Sequence, residues 1–176
     1  MRKLALLTVV LGALLWSQAA FASYSALEDQ PGSDVSVGLG GIALSGGPTG
    51  TSGSEFIPTI SLTGISDMVV WQAFYGLGSD ATAFGGSVDY VFADNFDECS
   101  TCPQDSVWWF GGGLSLISYS DLFASGAAAG LDDTEVGANL GGGARWDNNW
   151  GIDLYLHYFP SNQILGVQGQ LLYNFD

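Results

Sequence analysis

From Glu135 to the C-terminus the chain alternates with period two over runs longer than most globular strands. Val136, Ala138, Leu140, Gly142, Ala144 and Trp146 fall on one face, opposite Glu135, Gly137, Asn139, Gly141, Gly143 and Arg145. Asp147-Asn148-Asn149 then supplies side chains that tolerate the left-handed backbone of a short turn. Beyond it Ile152, Leu154, Leu156 and Tyr158 share a face against Asp153, Tyr155 and His157, and the stretch Leu165 to Phe175 repeats the pattern. Alternation of this kind marks a strand with different surroundings on its two faces. No segment after residue 22 carries a capped stripe of helical period.

The first half is less regular but yields similar segments at Val35–Leu44, Phe56–Leu62, Met68–Leu77, Ala83–Phe92 and Val107–Leu116. Phe56–Leu62 is weakened by Pro58, which cannot donate to a ladder. With Glu135–Trp146, Trp150–Phe159 and Gln163–Phe175, the expected strand count is eight. A soluble sandwich buries the apolar face of such strands, whereas a transmembrane barrel turns it outward to lipid. Length favours the barrel, since a tilted membrane strand takes ~9–11 residues and a globular one ~5–6. An even count of eight fits the smallest membrane barrels.

Connections and aromatics support that choice. With the chain entering from the periplasmic side, Gly64–Asp67 and Asp147–Asn149 are short turns, and Ser45–Gly53 and Ser118–Thr134 are long outer loops. Ser79–Thr82, Pro160–Asn162 and the long Ala93–Ser106 connection break the regularity. In this arrangement Tyr90, Phe92, Trp108, Trp146, Trp150, Tyr173 and Phe175 all fall at the periplasmic strand ends, with Phe56, Tyr75 and Tyr158 near the outer ends. Aromatic belts of this kind mark the two membrane interfaces, whereas a sandwich concentrates its aromatics mid-strand.

Glycine is the compositional outlier, at 26 of 176 residues against a usual ~7%. Eight strands enclose a lumen only just wide enough for side chains. Inward Gly85, Gly111, Gly113, Gly137, Gly141 and Gly143 would leave room there for Arg145, Tyr155, Gln168 and Gln170. Relief of bends at barrel corners is the alternative role, and both require a barrel.

The N-terminus reads as a secretory signal spanning 1–22. Arg2 and Lys3 precede an apolar run from Leu4 to Leu15, and Ala20-Phe21-Ala22 gives the small-x-small cleavage pattern. The run is too short for the ~20 residues of a membrane-spanning helix, and no Cys follows for a lipid anchor. Residues 23–176 then form one barrel domain whose single fixed cation, Arg145, stands against 18 acids. Such a chain cannot neutralise a phosphate backbone, which excludes nucleic-acid partners. It should not dock electrostatically on an anionic membrane surface either. The acidity does not imply disorder, because 47% of residues are hydrophobic and 13% aromatic.

The signal segment, the alternating strands, the stretch GGGARWDNNWGIDLYLHYF at 141–159 and the aromatic terminal strand together resemble the small outer-membrane barrels of the OmpA and OmpX type. The resemblance covers nearly all of residues 23–176 and rests on pattern, without an invariant motif. It implies an all-β, single eight-stranded antiparallel up-and-down barrel in a Gram-negative outer membrane, in contact with lipid bilayer and lipopolysaccharide. It also implies a role in envelope integrity, adhesion or narrow passage, with an unidentified surface ligand at the outer loops. No catalytic residue or cofactor carries over. The last strand would be the one recognised by the barrel assembly machinery, although Asp176 extends past the usual terminal aromatic.

Few residue groups point to chemistry. Cys99-Ser100-Thr101-Cys102 has redox-motif spacing, but it follows the acidic Asp94-Asn95-Phe96-Asp97-Glu98 turn and not a helix start. Acids disfavour a thiolate, so a structural disulfide between Cys99 and Cys102 is expected in an exported chain; two Cys without a nearby His fall short of a zinc site. Asp94, Asp97, Glu98 and Asp105 form one acidic group and Asp132, Asp133 and Glu135 another. Neither has the ligand spacing of a dedicated calcium loop, so solvated acidic loops are expected and no metal is assigned.

His157 and Arg145 complete the set. HYFPSN at 157–162 faintly resembles the His-x-Ser-Asn segment of the barrel enzymes that deacylate lipid A, but Ser161 is misplaced and no Glu follows Glu135. The alternation turns His157 inward, so a lumenal hydrogen bond is the expectation. An inward Arg145 needs a carboxylate, and Asp153 is the nearest across the turn, giving a lumen salt bridge at the periplasmic end. A non-catalytic barrel is therefore expected, with a lipid A deacylase-like enzyme and a soluble lipocalin-like carrier as alternatives.

Overall fold

The computed structural model describes residues 35–48, 52–66, 68–94, 106–124, 130–146 and 149–174. The expected signal segment 1–22, Cys99, Cys102 and Phe175 lie outside these residues. Eight strands follow in chain order: β1 (Ser36–Gly46), β2 (Gly53–Ser66), β3 (Val69–Leu77), β4 (Thr82–Asp94), β5 (Ser106–Leu122), β6 (Leu131–Trp146), β7 (Trp150–Phe159) and β8 (Ile164–Asn174). Each pairs antiparallel with the next, and β1 also pairs with β8 from Ser36↔Asn174 to Gly46↔Ile164, closing the barrel. Closure is what a lipid environment demands, because hydrocarbon offers no partner to a free strand edge.

Side-chain alternation divides the strands as the sequence pattern requires. β7 switches between exposed and buried at every residue along its length. Leu39, facing outward, is 67% exposed, while Ile42 on the lumenal face of the same strand is fully buried. Leu114, Leu140, Leu154 and Val167 join Leu39 in an outward apolar band. Buried Gln72, Asp89, Arg145, Asp153, Gln168 and Gln170 face the lumen. This is the inside-out arrangement of a membrane barrel, and its outward apolar band speaks against the lipocalin-like alternative, a soluble carrier that would face water there.

Two hairpins are longer than the sequence pattern suggests. Pairing of β1 with β2 continues to Gly46↔Gly53, so the expected outer loop Ser45–Gly53 shrinks to 47–52. Gly46 and Gly47, with φ of 115° and 105°, turn the chain there, a conformation that favours glycine. Likewise β5 and β6 pair out to Leu122↔Leu131, and the expected loop Ser118–Thr134 is strand over most of its length. The register shifts between Tyr119 and Leu122, and Asp121 and Phe123 adopt positive φ of 57° and 60°. This bulge rotates Leu122 and Phe123 into the lumen, where both are buried.

The expected Gly64–Asp67 turn is also shorter, since pairing runs to Ser66↔Val69. Gly64 is a strand residue beneath the Trp71 indole, which a Cβ there would meet at 2.4 Å. Pro58 is accommodated because the β2–β3 ladder begins only at Thr59↔Gly76, so no rung of it is lost. The Asn-rich turn after β6 holds Asn149 at φ 68°, the left-handed geometry its side chain tolerates.

Candidate functional site

The register stacks the lumenal side chains in three tiers. Nearest the chain termini, Ile65, Val70, Val91, Trp109 and Tyr155 form a small apolar cluster. Beside it a polar tier runs from Arg145, one residue from the end of β6, to the middle of the lumen, which keeps the Arg145–Asp153 pair in the terminal half where the sequence places it. The far half is apolar: Ile42, Leu44, Ile57, Phe74, Ile117 and Phe159 pack with Leu122 and Phe123 from the β5–β6 hairpin.

The polar tier is organised by Asp153 and Gln170. Arg145 and Asp153 occupy diagonal positions on β6 and β7, with Arg145 opposite Gly151 and Gly143 opposite Asp153. The guanidinium donates from Nη1 to Asp153 Oδ1 at 2.7 Å and from Nη2 to Oδ2 at 3.0 Å, both residues being buried. This two-pronged geometry suits the planar fork of arginine. Gln170 Nε2 donates to Asp153 Oδ2 at 3.2 Å and to Thr63 Oγ1 at 3.1 Å. Its Oε1 accepts from Ser61 Oγ at 2.6 Å and Gln72 Nε2 at 2.8 Å. β2, β3, β6, β7 and β8 are thus joined through the lumen by one network.

Glycines make this packing possible. A Cβ on Gly143 would fall 1.9 Å from Asp153 Oδ1, and one on Gly141 would fall 2.5 Å from the Tyr155 ring. A Cβ on Gly151 would meet the Arg145 side chain at 2.5 Å. At these positions glycine provides space for larger lumenal neighbours. Trp109 fills the cross-section beside them, and its only signal in the sequence is the alternation that puts it opposite outward Trp108 and Phe110.

His157 lies inside, 1% exposed, with Nε2 3.1 Å from Gln168 Oε1. Its ring is sandwiched between Tyr155 and Phe159, at 5.8 and 6.0 Å between centroids. It makes no approach to the lipid face. Asp132, Asp133 and Glu135 do not form a common surface group either. Asp132 accepts the backbone N–H of Asp121 at 2.7 Å. Glu135 is buried at the far mouth, accepting hydrogen bonds from the Tyr119 hydroxyl and from the Asn162 backbone N–H, the latter at 3.0 Å. Asn162 Nδ2 lies between Asp133 and Glu135, at 3.2 and 3.1 Å. This mouth cluster was also missed, because Tyr119 and Asn162 sit in segments read as loops.

Outward, Tyr90, Phe92, Trp108, Trp146, Trp150 and Tyr173 ring the end of the barrel where the chain enters and leaves. Trp150 and Tyr173 meet edge to face at 5.3 Å, and Phe92 meets Phe110 at 5.0 Å. Phe56, Tyr75 and Tyr158 face outward near the other end. Aromatic rings at both boundaries of an apolar band define a bilayer-spanning surface.

A closed barrel of eight antiparallel strands with this inside-out polarity is a transmembrane β-barrel, the fold of the small outer-membrane barrels. No family model and no curated protein matches the chain. Among solved structures, a de novo designed transmembrane β-barrel aligns with TM-score 0.50 and 12% identity, over 84% of this chain and 99% of the design. Neisserial surface protein A aligns with TM-score 0.49 and 17% identity, covering 80% of this chain and 96% of its own. The outer membrane enzyme PagL aligns with TM-score 0.45 and 14% identity, covering 81% and 99%. At these identities the likeness is one of fold.

Proposed function

We propose that the protein is a non-catalytic structural barrel of the outer membrane, closed to solutes, whose far end meets partners outside the cell. The observation that carries this reading is the filled lumen: the Arg145–Asp153 pair and the Gln170 network lie across its terminal half, and the apolar tier seals the far half. An eight-stranded barrel leaves little room beyond its own side chains. The terminal end faces the periplasm, so the β1–β2 and β5–β6 connections are the outer contact surface, towards lipopolysaccharide and an unidentified ligand. The β8 strand, with outward Leu171 and Tyr173, is offered to the barrel assembly machinery. Removal of residues 1–22 and a Cys99–Cys102 disulfide belong to the same reading, and the intact mass of alkylated protein checks both.

The enzymatic alternative is less favoured because the chain's one histidine, His157, is enclosed in the lumen and bonded to Gln168, away from any lipid substrate. Two measurements test the proposal. Refolded protein in planar bilayers should give no sustained conductance; steady channel currents would overturn the closed lumen. Lipid A from cells with and without the gene should have the same mass spectrum, and loss of an acyl chain only in its presence would establish an enzyme.

A further inference from the structure

Among the described residues, four buried side chains carry formal charge: Asp89, Glu135, Arg145 and Asp153. Arg145, the only Lys or Arg there, is held by Asp153 through both prongs. Glu135 is satisfied at the mouth by Tyr119 and Asn162. Asp89 is different. It is fully buried, and its hydrogen-bond partners are neutral: Ser87 Oγ donates to Oδ2 at 2.9 Å and Asn139 Nδ2 donates to Oδ1. An ionised carboxylate in that position is costly without a compensating positive charge.

A second observation lies beside it. Asn139 Oδ1 and Ser115 Oγ are buried oxygens with no hydrogen-bond partner, in residues 5% and 3% exposed. The register brings them together with Asp89. Asp89 pairs with Gly113, which pairs with Asn139, so the two side chains meet across a residue without a Cβ. In the adjacent row Ser87 pairs with Ser115. Three neighbouring strands therefore bring one carboxylate, one amide oxygen and two hydroxyls to one patch of lumen wall.

We propose that Asp89, Asn139, Ser115 and Ser87 form an internal site for a small monovalent cation of the sodium type. All-oxygen donors select a hard cation and disfavour metals that prefer sulfur or imidazole. A single carboxylate balances one positive charge, whereas a divalent ion would leave a buried surplus. Lying between the apolar far tier and the Trp109 cluster, the site is loaded as the barrel closes. Its occupant neutralises Asp89 and takes up the two free oxygens.

The test is to refold the full chain in detergent at pH 8 in sodium chloride or choline chloride of equal ionic strength. The temperature at which the folded gel band is lost is then read against sodium concentration. Sodium should raise that temperature saturably, by on the order of a few degrees. Asp89→Asn should abolish the difference between the salts, and Ser115→Ala should raise the half-saturating sodium concentration several-fold. Equal temperatures in both salts would overturn the site, as would a sodium effect that survives Asp89→Asn. Should Asp89→Asn fail to fold, Ser115→Ala decides alone, and an unchanged half-saturation removes the proposal.

Discussion

In the terminal half of the lumen, Arg145, Asp153, Gln170, Gln72 and Ser61 hold one another by directed bonds of 2.6 to 3.2 Å. In the far half, Ile42, Ile57, Ile117 and Phe159 fill the same cross-section with apolar side chains. The two regions divide the work of closing the barrel. The polar tier fixes which strands face one another, because each member depends on particular partners. The apolar tier excludes water but is indifferent to direction, so its requirement is volume. Removing one polar group therefore strands others, whereas removing one apolar group leaves a hole.

The largest effect should come from separating the buried ion pair. Asp153→Ala would leave Arg145 uncompensated in the lumen and should lower stability by about 3–5 kcal/mol, read from denaturant unfolding of barrels refolded in lipid vesicles. Replacing both partners, with Arg145→Met and Asp153→Leu together, should recover much of that loss. If the single substitution is as mild as the double, the pair is not what organises the tier. In the apolar half, Ile117→Ala should weaken the barrel by about 2–5 kcal/mol through the cavity it opens. The loss should shrink when a neighbour such as Ile57 is enlarged to Phe, a rescue unavailable in the polar tier.

The same contrast explains what was legible in the sequence. Alternation is visible only where the two faces of a strand differ. Along β6 and β7 the lumen is polar or glycine-lined, so Glu135 to Phe159 announced its strands, its Asn149 turn and its inward Arg145 and Asp153. In the far half both faces are apolar. Ile42-Ala43-Leu44 and Ile164-Leu165 show no period at all, although their neighbours point alternately to lipid and lumen. Leu122 and Phe123 were hidden for a further reason. They enter the lumen through a bulge that breaks the count, so a segment read as an outer loop supplies two plug residues. The Asp89–Asn139 contact was equally unreadable, because it spans β5 and depends on Gly113 between them.

Gly141 lies where the polar tier meets the Trp109 cluster, and it tests whether glycine there provides space or flexibility. Gly141→Ala places a methyl group against Tyr155 and Trp109, at 2.5 and 3.1 Å. The backbone is extended strand, so alanine carries no conformational penalty of its own. Overpacking should lower stability by about 1–3 kcal/mol, and Tyr155→Leu should relieve part of it. A Gly141→Ala barrel as stable as the parent would show that these rings move aside freely and that the glycine serves bending instead.

The smallest effect marks the boundary between the two regions. Thr59 follows Ile57 on the lumenal face of β2 and precedes Ser61, so it stands between the apolar and polar tiers. Its Oγ1 is buried without a partner, unlike Ser61 Oγ one step nearer the termini, which donates to Gln170. A buried hydroxyl that bonds to nothing opposes folding, and Thr59→Val removes it while keeping the branched shape. Stability should stay the same or rise by up to about 1 kcal/mol, whereas Ser61→Ala, which deprives Gln170 Oε1 of a donor, should lower it by about 1 kcal/mol. Opposite signs at two consecutive lumenal positions would place the change of chemistry between them. Destabilisation by both would mean that the polar network reaches Thr59 and that the apolar tier begins only at Ile57.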